Sequence, residues 1–292
     1  MPITSLAESF KDQGRFIGIH FFSPVERMNL VEIILGKETG EVALAGALDY
    51  VGAIRKTPIV VNDSRGFYTS RVVGTYIREG HLMLAEGVPA AMIENVARMA
   101  GMPVGPLALN DEVAVDLAWK ILKATEADLG SKAIDARQKA LLEQMVEKWG
   151  RLGRKNGKGF YDYPQSGPKR LWPGLAELQE IRLDPDTLDV AELKQRLLVI
   201  QALETARCVE EGVITDVREA DVGSILGFGF APFSGGTLSY IDMMGSKRFV
   251  ELCRRLEKKH GARFKPSKLL NEMSAKTETF YGRFAPGQRV AA

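Results

Sequence analysis

Four amphipathic stretches in succession each end on a glycine, and this punctuation constrains the fold more than any other feature of the chain. They span 69–86, 90–100, 113–129 and 133–149, and are closed by Gly87, Gly101, Gly130 and Gly150. Glycine just past the last periodic residue is a helix stop, because it enters the left-handed region at no steric cost. The run predicts a block of packed helices. A second block starts at Leu193 and answers the first. Arg71–Val72–Val73 matches Arg196–Leu197–Leu198, and Glu86–Gly87–Val88 matches Glu211–Gly212–Val213, both at an offset of 125 residues. One residue further on, Gly101 answers Gly227 and Pro106 answers Pro232, so that MAGMPVGPL aligns with ILGFGFAPF. A period this long indicates a domain duplication rather than a solenoid.

The residues before the helices read differently. Arg15–Phe22 (RFIGIHFF), Leu30–Leu35 (LVEIIL) and Pro58–Asn62 (PIVVN) are short apolar runs, hence strands. An amphipathic stretch over 40–55 lies between the last two. Strand, strand, helix, strand is the edge of an α/β layer. Residues 164–189 are rich in Pro, Gly and charge and read as a linker. The tail at 286–292 is expected to fray.

Composition narrows the function. With 39 basic and 37 acidic residues the net charge is +2, which calls for neither nucleic acid nor an anionic membrane. No apolar run approaches the ~20 residues of a membrane span, and the N-terminus lacks the pattern of a secretory signal. Two cysteines, Cys208 and Cys253, at unrelated spacing make neither a disulfide framework nor a metal-ligand set. They read as buried thiols in a reducing cytoplasm.

Glu32 sits inside an apolar strand, where a carboxylate is costly unless paired. His20, at the end of the preceding strand, is the nearest candidate partner. A histidine held by a carboxylate is fixed in one tautomer and becomes a stronger base. Spacing alone leaves a second arrangement open, with Glu32 pointing to solvent from an edge strand. His81 and His260 have no carboxylate or cysteine partner at ligand spacing and read as structural. LGFGFAPFSGG and GRKNGKGF lack the full spacing of a phosphate cradle and read as close-packed turns.

Several motifs in order carry a resemblance. HFFSPVERMNLVEII, PIVVNDSRGFYTSRVV, MAGMPVGPLALND and GRLGRKNGKGFYDY are together similar to the 3-hydroxyacyl-CoA dehydrogenase family. The second helical block resembles the extra repeat of the multifunctional fatty-acid β-oxidation proteins. The resemblance implies a mainly α fold: two repeated helical dehydrogenase C-terminal domains, preceded by a truncated α/β, Rossmann-like remnant of the NAD-binding domain. The implied segments are 1–63 (remnant), 64–163 (first helical domain), 164–190 (linker), 191–285 (second repeat) and 286–292 (tail). It also implies NAD as cofactor, an acyl-CoA substrate, and His20 and Glu32 as the catalytic pair that removes the proton from the 3-hydroxyl. The family's asparagines are replaced here by Ser23, near the cofactor, and by Ser70, near the substrate. A basic loop, Arg151, Arg154, Lys155 and Lys158, is the candidate for meeting the phosphates of coenzyme A.

The family's GxGxxG fingerprint does not occur in this sequence. The expectation is therefore weak NAD binding and little or no activity by the chain alone, with Arg15–Phe22 and Leu30–Leu35 forming an exposed apolar edge that invites a homodimer. The alternatives are a non-catalytic helical module that assembles with a thiolase subunit, and a stand-alone 3-hydroxybutyryl-CoA dehydrogenase.

Overall fold

The computed structural model describes residues 2–179 and 181–285. The tail at 286–292 lies outside the described residues. The chain opens on a short helix α1 (Ile3–Ala7), which the sequence reading missed. Strands β1 (Gly18–Phe21) and β2 (Leu30–Leu35), helix α2 (Glu41–Ala53) and strand β3 (Thr57–Asn62) follow. Next come α3 (Thr69–Ala85), α4 (Ala90–Met99), α5 (Pro106–Val113), α6 (Val115–Leu129) and α7 (Ala136–Glu143). A two-residue pair, β4 (Tyr161–Asp162) and β5 (Arg170–Leu171), precedes the long α8 (Val190–Glu210). The last elements are α9 (Val217–Phe228), α10 (Thr237–Met244), α11 (Ser246–His260), α12 (Lys268–Lys276) and α13 (Phe280–Arg283). The fold is mainly helical, with a small sheet. No helix among the described residues is long and apolar enough to cross a membrane.

The chain forms two compact units, Met1–Thr75 with Leu198–Ala292, and Tyr76–Leu197. In the first, β1 runs antiparallel to β2, and β2 parallel to β3 through the crossover helix α2. Side chains alternate across β2. Val31 and Ile33 pack on Ala47 and Val51 of α2. Leu30, on the other face, meets α9, where a Cβ on Gly227 would lie 2.8 Å from Leu30 Cδ2. β2 is thus the central strand, which corrects the expectation of an exposed edge at Leu30–Leu35. The outer edge of β3 is closed by its own chain: Asn62 N donates to Val213 O at 2.9 Å, and Val60 N to the Glu219 carboxylate at 2.9 Å.

In the second unit, two buried carboxylates organise the helices. Glu94 on α4 accepts from Leu107 N (2.9 Å) at the start of α5 and from Tyr161 Oη (2.8 Å). Asp111, near the end of α5, accepts from Phe160 N and Tyr161 N, both at 2.8 Å. Gly105 is required here by close approach, since its Cβ would fall 2.4 Å from the Glu94 carboxyl carbon. The first unit carries the same scheme. Asp221 on α9 accepts from Leu238 N (2.8 Å) and Tyr281 Oη (3.0 Å), and Asp242 accepts from Phe280 N (2.7 Å) and Tyr281 N (3.1 Å). Helices α5 and α10 have eight residues each, and α6 and α11 fifteen each.

The sequence alignment pairs Pro106 with Pro232, and these two prolines differ in their structural setting. Pro106 is the first residue of α5, and the first residue of α10 is Thr237. Pro232 instead begins a separate 3₁₀ turn, Pro232–Ser234, which lengthens the second segment. The stretch expected as one helix over 113–129 is broken at Ala114, whose φ of 95° ends α5 before α6 begins. The stretch expected over 133–149 starts at α7 and ends in a π-helical turn, Gln144–Lys148. The expected linker is docked rather than free. β5 pairs with β4, the Trp172 ring meets Trp149 at 4.8 Å, and Leu183 N donates to Gly87 O at 3.0 Å.

Candidate active site

His20 and Glu32 are direct cross-strand partners in the antiparallel β1–β2 pair. The register brings His20 Nδ1 to 2.9 Å from Glu32 Oε2. The Glu32 side chain has no exposure, and that of His20 is 31% exposed. A buried carboxylate needs donors for its lone pairs, and the start of α3 supplies them. Glu32 Oε1 accepts from Tyr68 N (2.9 Å) and Thr69 N (3.1 Å), and Oε2 accepts from Thr69 Oγ1 (2.7 Å). The amides at a helix N-terminus have no partner within the helix and lie at the positive end of its dipole. The costly strand carboxylate is thereby anchored, and the solvent-facing alternative for Glu32 is removed.

The arrangement fixes the imidazole. An ionised carboxylate only accepts, so a neutral His20 carries its proton on Nδ1 and keeps the Nε2 lone pair. The ring has Phe22 at 4.7 Å and Phe67 at 6.0 Å between centroids, both tilted to it. Phe67 holds a φ of 50°, an unusual conformation for an aromatic residue and of the kind that collects at functional sites. Behind the site Tyr68 is fully buried and donates to Ala220 O at 2.7 Å, and burial pushes its hydroxyl well above the usual phenol range. Ser23 is exposed just past β1, and Ser70 is exposed beside Thr69 in the first turn of α3.

The basic loop lies in the other unit, and its side chains have different fates. Arg151 is buried: it donates to Gly159 O (2.7 Å) and Asp162 (2.5 Å), and its guanidinium lies 4.0 Å from the Trp172 ring centre. That corrects the phosphate-facing role expected of it. Arg154 and Lys155 pair with Glu112 (2.8 Å) and Asp116 (2.5 Å), and the Lys155 ammonium holds the Asp116 carboxyl below its usual range. Lys158 is exposed. Sequence reading missed these local carboxylates. It also missed the hydroxyl of Thr69, whose only sequence signal is a threonine opening a helix next to a strand that carries a buried acid.

His81 is buried, with Nε2 at 2.9 Å from Asn110 Oδ1; burial lowers its pKa to about 4 despite that contact. Cys208 and Cys253 are free and buried, and burial raises both thiols, Cys253 to about 12.

Comparison with known proteins bears on this site. The family profile described as 3-hydroxyacyl-CoA dehydrogenase, NAD binding domain, matches residues 1–64, and that of the C-terminal domain matches residues 66–163. The stretch expected to be a remnant is therefore matched as the NAD-binding domain. The chain is 38% identical over 284 residues to the fatty acid oxidation complex subunit alpha of Shewanella amazonensis, and equally to that of Shewanella loihica. These alignments cover 96% of this chain and 39% of each relative, so the chain spans well under half the length of the curated relatives it matches. Among solved structures it is similar to 3-hydroxybutyryl-CoA dehydrogenase from Escherichia coli K12, with a TM-score of 0.76 at 20% identity over 95% of this chain and 74% of that one. It is also similar to (S)-3-hydroxybutyryl-CoA dehydrogenase from Ralstonia eutropha, with a TM-score of 0.50 at 33% identity over 56% of this chain and 58% of that one.

Proposed function

Because the chain belongs to the 3-hydroxyacyl-CoA dehydrogenase family, a family of oxidoreductases, we propose that it carries the acid–base centre for NAD-dependent oxidation of a 3-hydroxyacyl-CoA. The observation that carries this reading is the 2.9 Å contact between a partly exposed His20 and a fully buried Glu32. His20 Nε2 takes the proton of the 3-hydroxyl, and the Glu32 charge stabilises the imidazolium and keeps the ring oriented, as an Asp does in a hydrolase triad. NAD would be held by residues 1–64 and would supply the hydride acceptor for C3. The aromatic neighbours Phe22 and Phe67 limit water around the ring.

For the cofactor, residues 1–64 fit as the family's NAD-binding domain, and exposed Ser23 beside β1 is the residue we assign to the nicotinamide end. For the substrate, we assign Ser70, which follows the Thr69 that holds Glu32, and Arg154, Lys155 and Lys158. Surface ion pairs contribute only ~0–1 kcal/mol. Arg154, whose pair with Glu112 is exposed, can therefore exchange it for a coenzyme A phosphate at little cost.

We read the two helical sets as copies of one domain. Their equal helix lengths and matching carboxylate schemes support it. The relatives' name, subunit alpha of a complex, supports assembly with a second subunit, and our reading of the resemblance makes that partner a thiolase and the setting the cytoplasm.

The test is turnover of 3-hydroxybutyryl-CoA with NAD by the wild-type chain and by His20→Ala and Glu32→Gln. Losing a general base is expected to cost about 10²–10⁴-fold in kcat, with unchanged circular dichroism. Undiminished activity in His20→Ala overturns the assignment. Absence of turnover in the wild type, with co-purification of a thiolase subunit, favours the assembly reading.

A further inference from the structure

We propose that Thr69 is a positioning residue: its side-chain hydroxyl sets the plane of the Glu32 carboxylate and so selects the tautomer of His20. The proposal rests on the assignment of His20 and Glu32 above.

Glu32 receives four donors, and they divide by oxygen. Oε1 takes the two amides of Tyr68 and Thr69. Oε2 takes Thr69 Oγ1 at 2.7 Å and His20 Nδ1 at 2.9 Å. The amides alone anchor one oxygen and leave the carboxylate free to turn about it. The hydroxyl is the second fixed point, and it lies on the oxygen that faces the imidazole. Thr69 is the first residue of α3, and its hydroxyl donates to the carboxylate of a neighbouring strand.

Packing holds the hydroxyl in place. Thr69 is 1% exposed. Its methyl faces the closest approach of α9, where a Cβ on Gly227 would stand 3.3 Å from Thr69 Cγ2. With the methyl against that helix and the hydroxyl on Glu32, this β-branched side chain has one rotamer that satisfies both. Turning the carboxylate would weaken its hold on Nδ1–H, and an imidazole not so held exchanges its proton between the two nitrogens. The lone pair that must act as base would then spend time on the wrong nitrogen.

The chain has three histidines, which makes their ring nitrogens separable by ¹⁵N NMR on the full chain at a pH where all are neutral. Wild type is expected to show His20 with Nδ1 protonated and Nε2 bare. Thr69→Val keeps the shape and removes the hydroxyl. It is expected to lower the ratio of Nδ1–H to Nε2–H tautomer at His20 by about fivefold, the equilibrium effect of one net hydrogen bond, without moving the signals of His81. Thr69→Ser, which keeps the hydroxyl, is expected to stay within about twofold of wild type on the same scale. A Thr69→Val spectrum identical to wild type, or a Thr69→Ser ratio as altered as that of Thr69→Val, overturns the proposal. Glu32→Gln separates it from the reading beneath it. If Glu32→Gln changes the His20 tautomer and Thr69→Val does not, only the role of Thr69 falls. If Glu32→Gln leaves the tautomer unchanged, the catalytic pair itself falls.

Discussion

Ala114 sits at a tight junction of two helices, where a glycine would be expected. Its φ is 95°, and Gly245, at another junction between an eight-residue and a fifteen-residue helix, has a φ of 87°. An L-residue in the left-handed region costs roughly 1–2 kcal/mol, whereas glycine there carries only its larger chain entropy in the unfolded state, ~0.4–1 kcal/mol. Ala114→Gly is therefore expected to stabilise the chain by about 0.5–1 kcal/mol, and Gly245→Ala to destabilise it by about 1 kcal/mol or more. Urea midpoints at unchanged slope read both. A lower midpoint for Ala114→Gly would show that the alanine methyl makes a contact worth more than the strain.

Between helices, the tyrosines that reach back to the carboxylates decide the packing. Tyr161 donates to Glu94 at 2.8 Å and Tyr281 to Asp221 at 3.0 Å, and burial raises both carboxyls from their usual range. Phenylalanine at either place removes a donor from a buried acceptor, which costs about 1–3 kcal/mol. The two networks share no residue, so Tyr161→Phe and Tyr281→Phe are expected to add within about 0.5 kcal/mol in a double-mutant cycle. A larger coupling would mean that the networks communicate.

This element scale is also where the sequence was least legible. Strand β2 could be read to the residue because LVEIIL is a bounded apolar run, whereas adjacent strands only offered His20 and Glu32 as one of two arrangements, and the family resemblance supplied their role. Helix α5 could not. PLALNDEV is too short for a clear period, and an alanine in place of glycine hid the break at Ala114. The likeness in bonding between the two helical sets was hidden as well. It lies in carboxylate-to-amide bonds between residues far apart in sequence, while the shared glycines and prolines invited an alignment by residue type. Thr69 was illegible for a similar reason: what matters is the strand that its hydroxyl meets, not its neighbours along the chain.

For the molecule as a whole, two buried groups of the same helical set, His81 and Asp111, pull the acid dependence of stability in opposite directions. Burial lowers His81 to about 4 from the usual histidine range. Its neutral form is favoured in the fold, so the unfolded chain takes up a proton first, and stability is lost as pH falls from about 6.5 to 4. Burial raises Asp111 to about 6, against the opposing pull of the Tyr161 and Phe160 amides and the Tyr163 hydroxyl. Here the folded state holds a proton that the unfolded chain has released, so stability is gained as pH falls through nearly the same window. The two contributions oppose, and unfolding free energy is expected to vary little from them between about pH 6.5 and 4. His81→Gln exposes the balance. At pH 7 the variant is the less stable, having lost the Asn110 contact and the stacking of the ring on Phe160. As pH falls only the wild type loses stability through His81, so the deficit of the variant should shrink by about 2 kcal/mol by pH 5, at 1.36 kcal/mol per pH unit. Urea unfolding at the two pH values reads this difference directly, and a deficit that stays constant would mean that His81 titrates near its ordinary value in the fold.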